Sequence, residues 1–214
     1  MNTRPDHLEL FRPGRRIHGN VVLNFVGSPK TEFGAFAGAF WRAGRSLAKS
    51  LATSHGYHDL DACPIVFLYR HALELYLKAI VLLGQDVVAL AGKKLPLAPR
   101  ALARHELTPL LEPTRYIFRH LDWKWKTDVD GVKTFRDFQA LVRDIDRLDG
   151  GSFTFRYPID TKGKSPVFHH FVFNVLEFAQ EVEGAVGPLD GALTGLEELW
   201  DQQASDAYAR QKAD

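Results

Sequence analysis

"LYRHALELYLKAIVLL", residues 68–83, has the apolar content of a core helix, yet it carries Arg70, His71, Glu74 and Lys78. On a helical wheel advancing about 100° per residue, with Arg70 at the origin, Glu74 falls at about 40°, Lys78 at about 80° and His71 at about 100°. The four share one quarter-turn stripe. Leu73, Leu75, Tyr76, Leu77, Ala79, Ile80 and Leu83 cover nearly all the remaining surface, while Phe67 and Val81 fall within the stripe itself. A solvated face would be wider and would not include an aromatic ring and a valine. The stripe is therefore expected to face other protein or a cleft. An unpaired buried charge costs several kcal/mol. Glu74 can pair with Arg70 and Lys78 at four-residue spacing and with His71 at three. One carboxylate cannot satisfy all of these cations, so further acceptors are required: backbone carbonyls, another acidic side chain, or a ligand phosphate. Two readings stay open, an internal network that fixes helix register and a functional pocket.

Bulk properties narrow the alternatives. A chain of 214 residues suits one domain with a single core. The formal net charge of +1 rules out a global basic field, so nucleic acid would have to be met by a local patch. Cys63 is the only cysteine, which excludes an intrachain disulfide and a multi-cysteine zinc site. "MNTRPDHLELFRPGRRIHG" has neither the apolar segment nor the cleavage site of a signal peptide. No run approaches the ~18 apolar residues of a membrane span. The expected setting is a reducing cytoplasm, with no membrane partner, cofactor or metal. Phosphate-loop, Gly-x-Ser-x-Gly and His-Glu-x-x-His patterns are lacking, so the enzymes they mark are not indicated.

Residues 1–27 read as an irregular arm carrying Arg12, Arg15, Arg16 and His18, and 28–214 as one helical domain. Ser28-Pro29 looks like a cap followed by proline at the first helical position, opening a helix to about Ser54. Within it Gly34 and Gly38, and Ala35 and Ala39, leave nearly bare backbone, which anticipates close approach of another helix. A second helix is expected from Pro64 to Gly84, and a loop over 91–100. Residues 101–121 should be helical in two pieces, because Pro109 and Pro113 cannot both sit inside one helix. Apolar spacing predicts a helix over 131–148, stopped by Asp149-Gly150-Gly151. "SFTFRYP", residues 152–158, reads as extended. Helices over 166–186 and 189–210 complete an all-α bundle of five or six helices with at most a minor extended segment.

Three segments also carry a resemblance. "FLYRHALELYLKAIV", "ARHELTPLL" and "FRYPID", in that order between residues 64 and 160, resemble the bacterial HEPN-like proteins (higher eukaryotes and prokaryotes nucleotide-binding). These share an Arg-His-x-x-Glu-x-x-x-Lys helix, a His-x-Leu segment and an Arg-Tyr-Pro segment. The positions that match are Arg70, His71, Glu74, Lys78, His105, Arg156 and Tyr157. The resemblance implies a HEPN-like bundle, commonly homodimeric, associated with RNA or nucleotide in toxin–antitoxin or phage-defence settings. An arginine at position 156, between Phe155 and Tyr157, would suit bidentate pairing with Glu74, with His105 as a third member. The family's ribonucleases use an arginine followed within a few residues by histidine, in which arginine stabilises the pentavalent phosphate and histidine moves the proton. Here that spacing occurs at Arg12/His18, Arg100/His105 and Arg115/His120, none in the last helices. Arg115 and His120 are the best-placed pair for the alternative of a metal-independent endoribonuclease. A second alternative is a non-catalytic module that binds a partner protein.

Three other clusters invite a functional reading. His169 and His170, among the apolar Phe168, Phe171, Val172 and Phe173, read as packed or interfacial histidines rather than catalytic ones. "HGYHDLDAC", residues 55–63, fits a capped turn better than a metal site. In "DWKWK", residues 122–126, the tryptophans are expected to face inward and the lysines outward, rather than to form a single-stranded nucleic-acid surface.

Overall fold

The computed structural model describes His18, Val21 and residues 29–160, 162–165 and 171–211. All but two residues of the basic arm, and the paired histidines 169 and 170, lie outside the described residues. Five α-helices form an all-α bundle: α1 Pro29–Thr53, α2 Ala62–Leu90, α3 Leu111–His120, α4 Phe135–Asp149 and α5 Val175–Gln211. No strand occurs among the described residues.

Helix α2 is the central element, and α1, α3 and α5 all pack on it. Its apolar faces supply Ile65, Tyr69, Leu73, Leu77, Ile80 and Leu83, each essentially inaccessible to solvent. The close approach anticipated for α1 occurs. A Cβ on Gly34 would lie 2.4 Å from Leu193 Cδ2 of α5, and one on Gly44 would lie 3.3 Å from Leu68 Cβ of α2. Ala35 and Ala39 face outward.

Helix α2 does not stop at Gly84, as expected, but continues to Leu90. Glycine costs about 1 kcal/mol in a helix interior. Here it makes room for Ile117 of α3, whose Cδ1 would stand 2.3 Å from a Cβ at this position. The helix ends instead ahead of Gly92 (φ 68°). There the Gly92 and Lys93 amides donate to the Ala89 and Val88 carbonyls. Gly84→Ala should thus destabilise the protein by about 1–3 kcal/mol through overpacking. In urea denaturation, adding Ile117→Val should recover part of that loss, whereas strictly additive losses would dismiss the contact.

Three further expectations need correction. Residues 152–158 are not extended. Asp149 Oδ1 accepts the Phe153 and Thr154 amides at 2.7 and 2.9 Å, and Ser152 takes a left-handed backbone (φ 58°). This folds the segment into a tight turn in which the Arg156 and Tyr157 amides return to the Phe153 carbonyl. The final two helices are one, α5, running through Pro188. Proline in a helix interior removes a hydrogen bond and costs ~3 kcal/mol. Burial of Val182, Ala185, Val186, Leu189, Leu193 and Leu196 on both sides of Pro188 offsets that loss. Finally, residues 171–174 are not helical and α5 begins at Val175, where the Asn174 side chain caps it by accepting the Leu176 and Glu177 amides; residues 166–170 of the expected helix lie outside the described residues.

The remaining boundaries agree more closely. Helix α4 starts slightly late, at a capping box formed by Thr134 and Asp137. Pro109 lies in a 3-10 turn, Thr108–Leu110, and Pro113 in the first turn of α3, so the two prolines are separated as expected. Trp123 and Trp125 are half-buried against Phe118, while Lys124 and Lys126 are exposed. Among the described residues no helix is long and apolar enough to cross a membrane.

Candidate functional site

The stripe on α2 does turn inward. Arg70, Glu74 and Lys78 are 0%, 1% and 6% exposed. Arg70 Nη1 donates to Glu74 Oε2 at 3.1 Å, and Lys78 Nζ donates to Glu74 Oε1 at 2.8 Å. His105 Nδ1 lies 3.0 Å from Glu74 Oε1. The further acceptors needed by Arg70 come from two other segments. Its Nε donates to the Asp149 carbonyl at 2.9 Å, and Nη2 donates to the His105 carbonyl at 2.7 Å and the Gly150 carbonyl at 3.4 Å. The Asp149 and Asp146 carboxylates stand 3.4 and 3.9 Å from the guanidinium. Helix α4 thus ends where its last carbonyls can meet Arg70, and Gly150 and Gly151 turn the chain away.

Asp146 locks the third segment. Its carboxylate accepts the Leu107 and Thr108 amides, holding the loop that carries His105. Burial by itself would raise the Glu74 pKa, but His71, Lys78 and His105 outweigh it and hold the carboxyl at about 2. Of these, Lys78 and His105 are in hydrogen-bond contact, and His71 at 3.9 Å acts through space. Glu74 is therefore a carboxylate at any ordinary pH and neutralises part of the charge that Arg70 and Lys78 bring into the core.

Three members of the predicted set, His71, Arg156 and Tyr157, make no hydrogen bond within this network, and His71 only approaches its edge at 3.9 Å. His71 is half-buried, its ring stacked on Phe67 at 5.7 Å and meeting Phe40 edge-on at 4.4 Å. Arg156 does not pair with Glu74. Because the 152–158 segment turns back on itself, Arg156 Nε donates to the Ser152 carbonyl. Its guanidinium lies over three rings, 5.3 Å from Phe67, 5.3 Å from Phe153 and 5.6 Å from Tyr157. Arg156 is exposed, and Tyr157 and Phe153 retain 51% and 38% of their surface. The result is an aromatic and cationic platform. Its far side is the buried network, since Asp149 both faces Arg70 and caps the turn. The next turn presents Lys162 and Lys164, exposed, with their amides held by the Asp160 side chain at 2.8 and 2.9 Å.

Arg115 and His120 both lie on α3, but five residues apart, about 140° around the helix. Arg115 is 4.0 Å from Glu112 and His120 stacks on Tyr116, so the chain does not bring the two onto one face. Among the described residues no group of histidine, cysteine and acidic side chains could hold a metal, the 55–63 turn included.

Sequence reasoning missed Asp146, Asp149 and Phe153 as parts of this region, and it placed Phe67 in the stripe without its contact to Arg156. Asp146 lies on the polar side of the expected amphipathic helix, where nothing distinguishes a network member from a solvated residue, and Asp149 reads only as part of the stop signal after it. A second polar cluster was also missed. Glu183 of α5 accepts hydrogen bonds from Tyr69 Oη at 2.7 Å and Trp41 Nε1 at 3.0 Å, with Arg45 at 3.8 Å. Burial and the Glu183 carboxylate together push the Tyr69 pKa far up. Tyr76 Oη donates to Asp190 at 2.9 Å on the same helix pair.

The fold and site define an all-α bundle pinned by a buried arginine–glutamate–lysine network with an arginine–aromatic platform outside it. Compared with family models, curated proteins and solved structures, the chain matches none.

Proposed function

We propose that this chain is an RNA- or nucleotide-associated module of HEPN-like type, acting as a homodimer in a defence or toxin–antitoxin setting. The observation that carries this reading is the exposed guanidinium of Arg156 lying over Phe67, Phe153 and Tyr157. Aromatic rings with an adjacent arginine offer a stacking surface for unpaired bases, worth about 1–3 kcal/mol per base. Lys162 and Lys164 lie a few residues further on, exposed and suited to contacts with phosphate. The setting and the dimer rest on the resemblance in "FLYRHALELYLKAIV", "ARHELTPLL" and "FRYPID".

In this reading the buried network is structural, holding the platform's turn in place, and binding takes place on the surface. The test is fluorescence anisotropy with a mixed-sequence single-stranded RNA of about twenty nucleotides at low salt. Arg156→Ala with Tyr157→Ala should weaken binding at least tenfold while the circular dichroism stays unchanged. Equal binding by the variant removes the platform from the reading. Lack of binding by the native chain at low salt favours the protein-interaction alternative. Cleavage of the same RNA in EDTA, lost in His120→Ala, favours the endoribonuclease.

A further inference from the structure

A second surface feature lies beside the platform. Between α4 and the start of α5 is a groove of about 690 Å³. Its floor includes Leu141, Ile145, Phe155, Phe173 and Phe178. The rings form a chain, Phe155–Phe173 at 6.5 Å, Phe173–Phe178 at 6.4 Å and Phe171–Phe173 at 5.1 Å. Phe171 and Phe173 remain 46% and 37% exposed.

The rim is acidic. Asp137, Asp144, Glu177 and Glu181 line it against one cation, Arg147, which pairs with Asp144 at 2.9 Å. Glu177 and Glu181, four apart on α5, repel each other. Among the described residues neither has an ion-pair partner, and both are exposed. An apolar floor beneath unbalanced carboxylates is complementary to a segment that is both apolar and cationic.

The chain contains such a segment. "LELFRPGRRI", residues 8–17, combines Leu8, Leu10, Phe11 and Ile17 with Arg12, Arg15 and Arg16. Its attachment point is at the opposite end of the bundle. Lys30, near the start of α1, pairs with Asp86, whereas the groove reaches Val66 on the same helix α2. From Val66 to Asp86 the helix climbs about 30 Å. The stretch from Ile17 to Pro29 spans at most about 40 Å when extended. The arm is thus long enough to reach the groove within one chain. Of the two arm residues described, His18 and Val21, both are exposed, as a linker lying outside the groove would be.

We infer that residues 8–17 dock, in the same chain, in the Phe155/Phe173/Phe178 groove, with Arg12, Arg15 and Arg16 against Glu177, Glu181 and Asp137. Tethering gives the arm a local concentration in the millimolar range, so a weak intrinsic contact suffices. Phe155 belongs to the turn that carries Arg156 and Tyr157, so the docked arm buttresses the platform from one side.

Photocrosslinking tests this on the full-length chain with p-benzoylphenylalanine in place of Phe11. Illumination should link position 11 to the peptides containing Phe155 or residues 171–178 within single chains, which run at monomer mass on a denaturing gel. Glu177→Lys with Glu181→Lys should cut that yield at least fivefold, and adding Arg12→Glu, Arg15→Glu and Arg16→Glu should restore it. Both glutamates are exposed, so circular dichroism should show the variants folded. Cross-links elsewhere, a yield indifferent to charge reversal, or links found only between chains would overturn the inference.

Discussion

Glu74→Ala is expected to lower the free energy of unfolding at pH 7 by about 3–5 kcal/mol, among the largest effects of any single substitution in the protein. The loss exceeds that of the side chain's own contacts. Arg70 and Lys78 remain in the core with one neutralising carboxylate fewer, and His105 loses its partner. The effect should depend on pH in a defined direction. The folded-state pKa of Glu74 is about 2, below its ordinary value of 4.5. Its stabilising contribution is therefore complete above pH 4.5 and is lost as pH falls toward 2. Urea denaturation of both proteins across that range should show the gap narrowing. A gap constant down to pH 2 would assign the loss to packing rather than charge.

Arg70→Lys should cost about 2–4 kcal/mol although it preserves the charge. The guanidinium addresses Glu74 and three backbone carbonyls in different directions from one rigid fork. A single ammonium cannot reach them all, and buried carbonyls left without donors carry their own desolvation penalty. The Phe153 and Thr154 amides, bonded to Asp149, should exchange faster with solvent as the end of α4 loosens. A loss below about 1 kcal/mol, with unchanged exchange, would show that charge alone matters at this position.

How far the sequence could be read is clearest at this arginine. The inward stripe was legible, because helical periodicity fixes which side chains share a face and burial then demands partners for charges. That acceptors beyond Glu74 were needed was legible too, but their identity was not. They are carbonyls of His105, Asp149 and Gly150, and a carbonyl has no residue type to betray it. Arg156 was assigned to the wrong partner for a related reason. A left-handed Ser152 and the Asp149 cap fold a segment whose side-chain pattern looks extended, so the guanidinium curls onto its own turn. The long α5 was misread where Gly187-Pro188 resembles a helix end, and only tertiary burial on both sides carries the helix through. Gly84 was misread in the opposite sense, since a glycine reserved for a neighbouring isoleucine looks the same in sequence as a stop signal.

The bonds of Arg70 also bear on the order of folding events. Its acceptors at His105 and Asp149 lie 35 and 79 residues away in the chain. They can close only after α2, the His105 loop and the end of α4 have assembled, late on the route to the native state. Weakening this latch should leave the refolding rate almost untouched and appear instead as faster escape from the folded state. Arg70→Lys is thus expected to shorten the protein's lifetime against unfolding more than it slows refolding.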